Sequence, residues 1–203
     1  RTHDEDFGDI AAGNGDPSLV LFNKQITPNA HALAAKYVLL DNLYCNGEVS
    51  ESGHEWCDSA YATDYIERAW VGSYSGRGQA QDDSRLSASP AGFLWDNCNA
   101  HGVSYYSYGE KAGYRRKPGV APVFTGSKGL TAHASEPYSA IPWVAWKRDL
   151  GRAAIFISDL KAAEVSGNWP QFTVMSLPED HTQGLKAGAF SPDAHVAEND
   201  DAL

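Results

Sequence analysis

Ser50 sits where a β-rich run, residues 37–44, gives way through the Gly47 turn to a helical pattern, in Asn42-Leu43-Tyr44-Cys45-Asn46-Gly47-Glu48-Val49-Ser50. The first amides of a helix are unpaired and carry the positive end of its dipole, so a hydroxyl there lies beside an anion site and could serve as a phosphoryl-accepting nucleophile. The same position suits a plain N-cap, from Ser50 or Ser52. His54, one helical turn further on, could bind a substrate oxygen or donate a proton, or simply face solvent in the first turn. Asp180 and His181 follow a second strand-like run, residues 170–176. A hard oxygen beside an imidazole nitrogen suits zinc, manganese or iron. Neighbouring residues can share a metal only in a loop, because on a strand they face opposite ways, and Pro178, Thr182 and Gly184 supply that loop. An acidic surface loop that happens to contain a histidine is the plainer reading of the pair.

Other chemistries find less support. Glu48 and Ser52 stand where a Gly-x-Ser-x-Gly elbow needs glycines. No Gly-rich, Lys-ending phosphate cradle is present. Acidic residues are plentiful, but no pair is singled out for glycoside hydrolysis.

The elements that must position these residues are legible in outline. Thr27-Pro28-Asn29 reads as a helix start, with Thr27 as N-cap, and residues 30–36 as the helix. Tyr37-Val38-Leu39-Leu40 has the continuous apolar character of a strand buried on both faces. Apolar residues at helical spacing predict one amphipathic helix over 54–70, then a polar loop over 71–90. Residues 90–100 read as a helix, 103–106 as a strand, and 143–163 as a long helix with Val144, Leu150, Ala154, Ile155, Ile157 and Leu160 on its apolar side. That helix should end near Gly167, and Ser191-Pro192 opens the last one. Residues 107–142 show no periodicity and read as an irregular insertion or lid. Lys111, Arg115, Arg116, Lys117 and Lys128 fall within it, five of the chain's 16 basic residues. They could attract an anionic substrate or merely solvate a loop. Alternating helices and strands imply an α/β fold, with a mainly parallel sheet covered on both faces. In such sheets ligands bind beyond the carboxyl ends of the strands, which is where the Ser50 turn and Asp180-His181 should meet.

At 203 residues the chain suits one domain with a sizeable core. A net charge of −10 disfavours nucleic acid as a partner, and no apolar run is long enough to span a bilayer. Small anionic substrates remain compatible if metals supply positive charge. Cys45, Cys57 and Cys98 lack zinc-site spacing; a Cys45–Cys57 disulfide and three separate thiols are both open. The chain starts without Met and closes within a helical pattern, so both ends are expected to be cuts from a longer protein.

Taken together, several segments resemble the alkaline phosphatase-like superfamily. Thr27-Pro28-Asn29-Ala30-His31-Ala32-Leu33-Ala34 is similar to its Thr-Pro-Asn-Leu-Asp-x-Leu-Ala segment, and Asn42-Leu43-Tyr44 stands before Ser50 at the spacing that separates a sulfatase Asn-x-Tyr from its nucleophile. Gly13-Asn14-Gly15-Asp16-Pro17-Ser18, Glu48-Val49-Ser50, Gly53-His54, Tyr61-Ala62-Thr63-Asp64-Tyr65, Asp180-His181-Thr182 and Asn199-Asp200 look most like the bacterial phosphoesterase branch, of phospholipase C and acid phosphatase type. The likeness spans nearly the whole chain. It implies a three-layer α/β/α sandwich and a metal-dependent hydrolase of phosphomonoesters or phosphodiesters, working through a phosphoserine.

By that resemblance Ser50 is the nucleophile and bridges toward one of two divalent ions, zinc, manganese or iron. Asp180 and His181 ligate the other, His54 contacts a substrate oxygen or gives a proton, and Ser52 and Gly53 help to bind substrate. Relatives place Thr or a modified Cys at position 50, and sulfatases keep Arg where His54 stands. The family's first acidic ligand normally precedes a segment like Arg1-Thr2-His3-Asp4, and later ligands follow one like Asn199-Asp200. Residues 1–203 would thus be a single partial phosphoesterase domain with half of a two-metal site, inactive alone. Many relatives act outside the cytoplasm, which implies a periplasmic or secreted protein. A non-catalytic binding domain built on the same fold, using its Tyr- and Trp-rich loops, is the alternative.

Overall fold

Residue types at the chain's turning points set most of its element boundaries. In the computed structural model, which describes residues 6–75, 86–117, 119–142 and 148–203, helix α1 (Pro28–Lys36) begins at proline, whose fixed φ suits a first turn. Helix α2 (Ser50–Ser59) follows after a coil, then α3 (Asp64–Tyr74) and α4 (Leu94–Ala100). Strand β1 (Tyr105–Tyr108) leads into a hairpin of β2 (Ala112–Lys117) and β3 (Val120–Gly126). Helices α5 (Glu136–Ala140) and α6 (Arg148–Ser166), strand β4 (Phe172–Met175), a 3-10 turn (Pro178–His181) and helix α7 (Pro192–Ala202) complete the order.

The fold is mixed α/β. Strands β1 and β4 pair in parallel, with Tyr105 opposite Phe172 and Tyr108 opposite Met175, and Ser107 also bridges in parallel to Ala134 on the other side of β1. β2 and β3 pair antiparallel with an irregularity between Arg115 and Lys117. The segment over 107–142 therefore contains an ordered hairpin. Phe93, Trp95, Tyr105 and Leu130 form a buried cluster, with Phe93 and Trp95 stacked at 4.7 Å and Phe172 packed against it. This cluster fixes α4 against the parallel pair. Among the described residues no helix is long and apolar enough to cross a membrane.

Several expectations are corrected. Residues 37–44 form no strand, and Tyr37, Val38, Leu40, Leu43 and Tyr44 are exposed, Tyr44 at 85%. An apolar run becomes a strand only when a neighbouring strand takes its backbone hydrogen bonds, and among the described residues none does. The helix read over 54–70 is two helices. Ala60 adopts a left-handed φ of 52° at the end of α2, and Thr63 opens α3 by accepting from the Ile66 amide at 3.3 Å. On α6 the buried side chains include Asp149 and Arg152, while Leu150 and Ile157 are exposed, because the helix is anchored on another face, by the Asp149–Arg152 ion pair and by Phe156 against Tyr108 and Trp169. Its expected start at Trp143 and Val144 lies outside the described residues, as do Arg1-Thr2-His3-Asp4 and residues 76–85 of the polar loop.

Helix α1 has an unexpected cap. The hydroxyl of Thr27 turns back to the Phe22 and Asn23 carbonyls, and the Asn29 and Ala30 amides instead donate to the two carboxylate oxygens of Asp200, both at 2.8 Å. An anion on the first helical amides is favoured by hydrogen bonding and by the dipole. Asp200 thus ties α7 to α1 across the whole chain length. Cys45, Cys57 and Cys98 are all free thiols.

Candidate functional site

Glu110 reaches the site because the chain reverses sharply after β1. Gly109 has a φ of +88°, and a Cβ there would lie 3.1 Å from the Tyr138 ring, while Lys111 has a φ of 50°, an uncommon conformation for a residue with a side chain. Between them Glu110 folds inward, 7% exposed, with its carbonyl accepting from Ser107 Oγ at 2.6 Å. Its carboxylate accepts from His54 Nδ1 at 2.8 Å through Oε1 and from the Ser176 hydroxyl, just past β4, through Oε2. Asp58, four residues after His54 and on the same face of α2, completes a group whose ligand atoms all lie within 4.8 Å of one another.

The charges here are strongly coupled. Hydrogen bonding to Glu110 raises the His54 pKa, against the opposing effect of burial. Burial, with the Glu110 charge beside it, pushes Asp58 up to about 7. Burial also acts upward on Glu110, but the His54 hydrogen bond and charge outweigh it and hold that carboxyl at about 2. Two adjacent buried carboxylates thus divide into one that stays ionised and one that readily keeps a proton. Lys111 is not a free lid cation, since its ammonium pairs with the buried Glu55 carboxylate. Lys128 is exposed, and the side chains of Arg115, Arg116 and Lys117 lie outside the described residues.

Ser50 is the first residue of α2 and is exposed, on the helix face that also carries His54. Ser52 is fully buried and consumed locally, donating to the Val49 carbonyl at 2.9 Å and accepting from the Val49 amide at 3.4 Å. The Gly53 amide donates to the Val49 carbonyl at 3.0 Å. Gly47 packs on this turn so closely that a Cβ would lie 2.6 Å from the Gly53 nitrogen. The cap role therefore falls to Ser52, leaving the Ser50 hydroxyl facing solvent.

Asp180 and His181 end the 3-10 turn, with His181 Nδ1 3.2 Å from Asp180 Oδ1 and 3.1 Å from the Pro178 carbonyl. The hydrogen bond to Asp180 raises the His181 pKa, while burial and the charge of His54 oppose it. Both histidines connect to the carboxyl edge of the β1–β4 pair, His54 through Glu110 and Ser176 and His181 through the turn that follows β4. The turn is held by a buried network. Glu179 accepts from His195 Nδ1 at 2.5 Å and from the Arg148 amide at 3.2 Å. Asp149 accepts from Arg152 at 2.6 Å, the Glu179 amide at 2.8 Å and Asn199 at 2.9 Å. A cavity of about 470 Å³ adjoins Ser176 and is lined by Tyr114, Tyr138 and Arg152, but not by Ser50, His54 or His181.

Asp58, Glu110 and Ser176 escaped the sequence reading. Two signals could have found them: Glu110 follows a strand end just as Asp180 does, and Asp58 stands one helical turn from His54. The chain matches no family model, no curated protein and no solved structure.

Proposed function

We propose that this chain belongs to a metal-dependent hydrolase of phosphate esters that works through a phosphoserine on Ser50, on a three-layer α/β/α sandwich of the alkaline phosphatase-like kind. The observation that supports this best is the hydrogen-bonded link from His54 through Glu110 to Ser176, which joins the start of α2 to the carboxyl edge of the β1–β4 pair, with the Asp180–His181 turn following β4 and the exposed Ser50 one turn before His54. Asp180 and His181 place an oxygen and a nitrogen side by side on partly exposed side chains, a donor set that fits a borderline divalent cation. Two divalent ions would supply positive charge that lowers the pKa of the serine hydroxyl and stabilises the leaving oxygen.

The chain's own residues perform the rest. Ser50 Oγ forms the bond to phosphorus as the ester bond breaks, and its proton leaves to solvent. The leaving oxygen takes a proton from His54, held charged and oriented by Glu110 through Nδ1, so that Nε2 is the donor. A water then attacks the phosphoserine and gives its proton to the now neutral His54, and Ser50 recovers a proton from solvent. The substrate is a small phosphorylated molecule; a periplasmic or secreted location is part of the same reading.

The test is turnover of nitrophenyl phosphate mono- and diesters by the full-length protein with zinc or manganese supplied. Ser50→Ala is expected to reduce kcat by about a thousandfold or more, as loss of a covalent nucleophile does. Undiminished turnover in Ser50→Ala would overturn the assignment. A second reading, a non-catalytic binding domain, is favoured by one feature: residues 37–40, with Leu33 and Leu43, line an apolar groove of about 570 Å³ on α1.

A further inference from the structure

We propose that His54, Asp58 and Glu110 form a binding site for one divalent transition-metal cation, separate from the Asp180–His181 pair. The three come from two rigid elements. His54 and Asp58 stand one turn apart on α2, and Glu110 is locked in the strained reversal after β1. Their ligand atoms already lie within 4.8 Å of one another. Ligands at about 2.1 Å from a cation stand about 3 Å apart when adjacent, and His54 Nδ1 and Glu110 Oε1 are 2.8 Å apart.

An independent observation points to a missing ligand. Asp58 is 5% exposed, and among the described residues no donor reaches its buried Oδ2; its side-chain contact is with the Glu110 carboxylate, a second acceptor, so only a shared proton or a cation can join the two. Native structures rarely leave a buried carboxylate oxygen unsatisfied, since doing so forfeits its hydration without replacement. Charge gives the same answer. Asp58 and Glu110 bring two buried carboxylates together, and the ammonium of Lys111, which also acts on Asp58, is paired with Glu55. His54 and the already paired Lys111 balance the two carboxylates only in part, and a divalent cation would balance both.

The donor set, one imidazole and two carboxylates, suits manganese, iron or zinc better than calcium or magnesium, which take oxygen alone. Ser176 holds Glu110 Oε2, so Oε1 is presented in a fixed direction, as partners behind a metal ligand usually arrange. His54 is 42% exposed and leaves one side open for waters and for entry of the ion. A second such group among the described residues, Asp149, Glu179 and Glu198, is braced by Arg152, Asn199, His195 and backbone amides on most of its oxygens, with Glu198 Oε2 alone lacking a partner, and its histidine, His195, donates to Glu179 from outside the three.

The site does not rest on the hydrolytic reading: a cation on His54 Nδ1 displaces the proton that Glu110 otherwise holds there, so the ion binds in place of the charged imidazole, and it is read by binding without substrate. The metal-stripped chain is titrated with Mn²⁺ at pH 7.5, and free ion is followed by electron paramagnetic resonance, with Zn²⁺ as competitor. One Mn²⁺ should bind with an affinity that falls by at least about a hundredfold in both Asp58→Asn and Glu110→Gln, more than loss of an outer partner costs. The same ion should be retained in Asp180→Asn. Thermal unfolding confirms that each variant is folded, and Asp58→Asn carries the test if Glu110→Gln is not. The proposal is overturned if wild type binds neither Mn²⁺ nor Zn²⁺, or if Asp58→Asn binds the same number of ions with unchanged affinity.

Discussion

Replacing Asp58 by asparagine is expected to stabilise the metal-free protein at pH 8 and to leave it nearly unchanged at pH 4. The folded Asp58 carboxyl titrates at about 7 against an ordinary value of 3.8. Between those values the native state holds a proton that the unfolded chain has lost. Stability therefore falls as pH rises through that window, and the cost is complete above about 7. A rise of about three units at about 1.4 kcal/mol each sets a ceiling of about 4 kcal/mol. Part of that belongs to the shared titration with Glu110, and the asparagine amide must itself find partners, so a gain of about 2 kcal/mol at pH 8 is the working figure. Glu110, His54 and Lys111 face Asp58. Glu110 is ionised throughout the window and sustains the repulsion, while the other two reduce it. His54, whose pKa is raised, itself contributes stability below 6.5 that is lost as pH rises through its folded value; most of this is common to both proteins and cancels in the difference. The assay is urea unfolding followed by tryptophan fluorescence at pH 4, 6 and 8 with a chelator present. A constant offset between wild type and Asp58→Asn across this range would refute the reasoning, as would a relative gain of wild type with rising pH.

Two further outcomes test neighbouring contacts. In Glu110→Gln the His54 pKa should fall, because the bond and charge that raise it are lost, and NMR titration of the imidazole ring measures this directly. Asp200→Ala should cost about 1–2 kcal/mol in chemical denaturation, the usual range for a cap.

Where a boundary is decided by its own residues, the sequence predicts it. Pro28 opens α1, Ser191 caps α7 by accepting from the Ala194 amide, and Gly167 with a φ of +73° ends α6. Where a boundary depends on a partner elsewhere, it does not. Tyr37-Val38-Leu39-Leu40 has every local property of a buried strand and is coil, because strand structure is completed only by a second strand. The break at Ala60 lies between these cases: Tyr61, Ala62 and Tyr65 keep a helical rhythm across it, yet Thr63 followed by Asp64 and Glu67 is a helix start written in the sequence.

The candidate site divides in the same way. Ser50 and Ser52 were indistinguishable as cap and nucleophile from composition alone. Their roles separate only because Gly47 lies against Ser52 and Gly53, burying the Ser52 hydroxyl in the first turn while the Ser50 side chain stays in solvent. Asp58 and Glu110 are ordinary surface acids until α2 and the β1 reversal bring them together, 52 positions apart in the chain. Their closeness to His54 then changes what that histidine can do: Nδ1 faces the two carboxylates, where a proton held by Glu110 and a cation compete for it. Chemistry at the carboxyl edge of the parallel pair thus depends less on the serine turn by itself than on the buried carboxylates behind His54, and substitutions at Asp58 and Glu110 are the changes that separate the two.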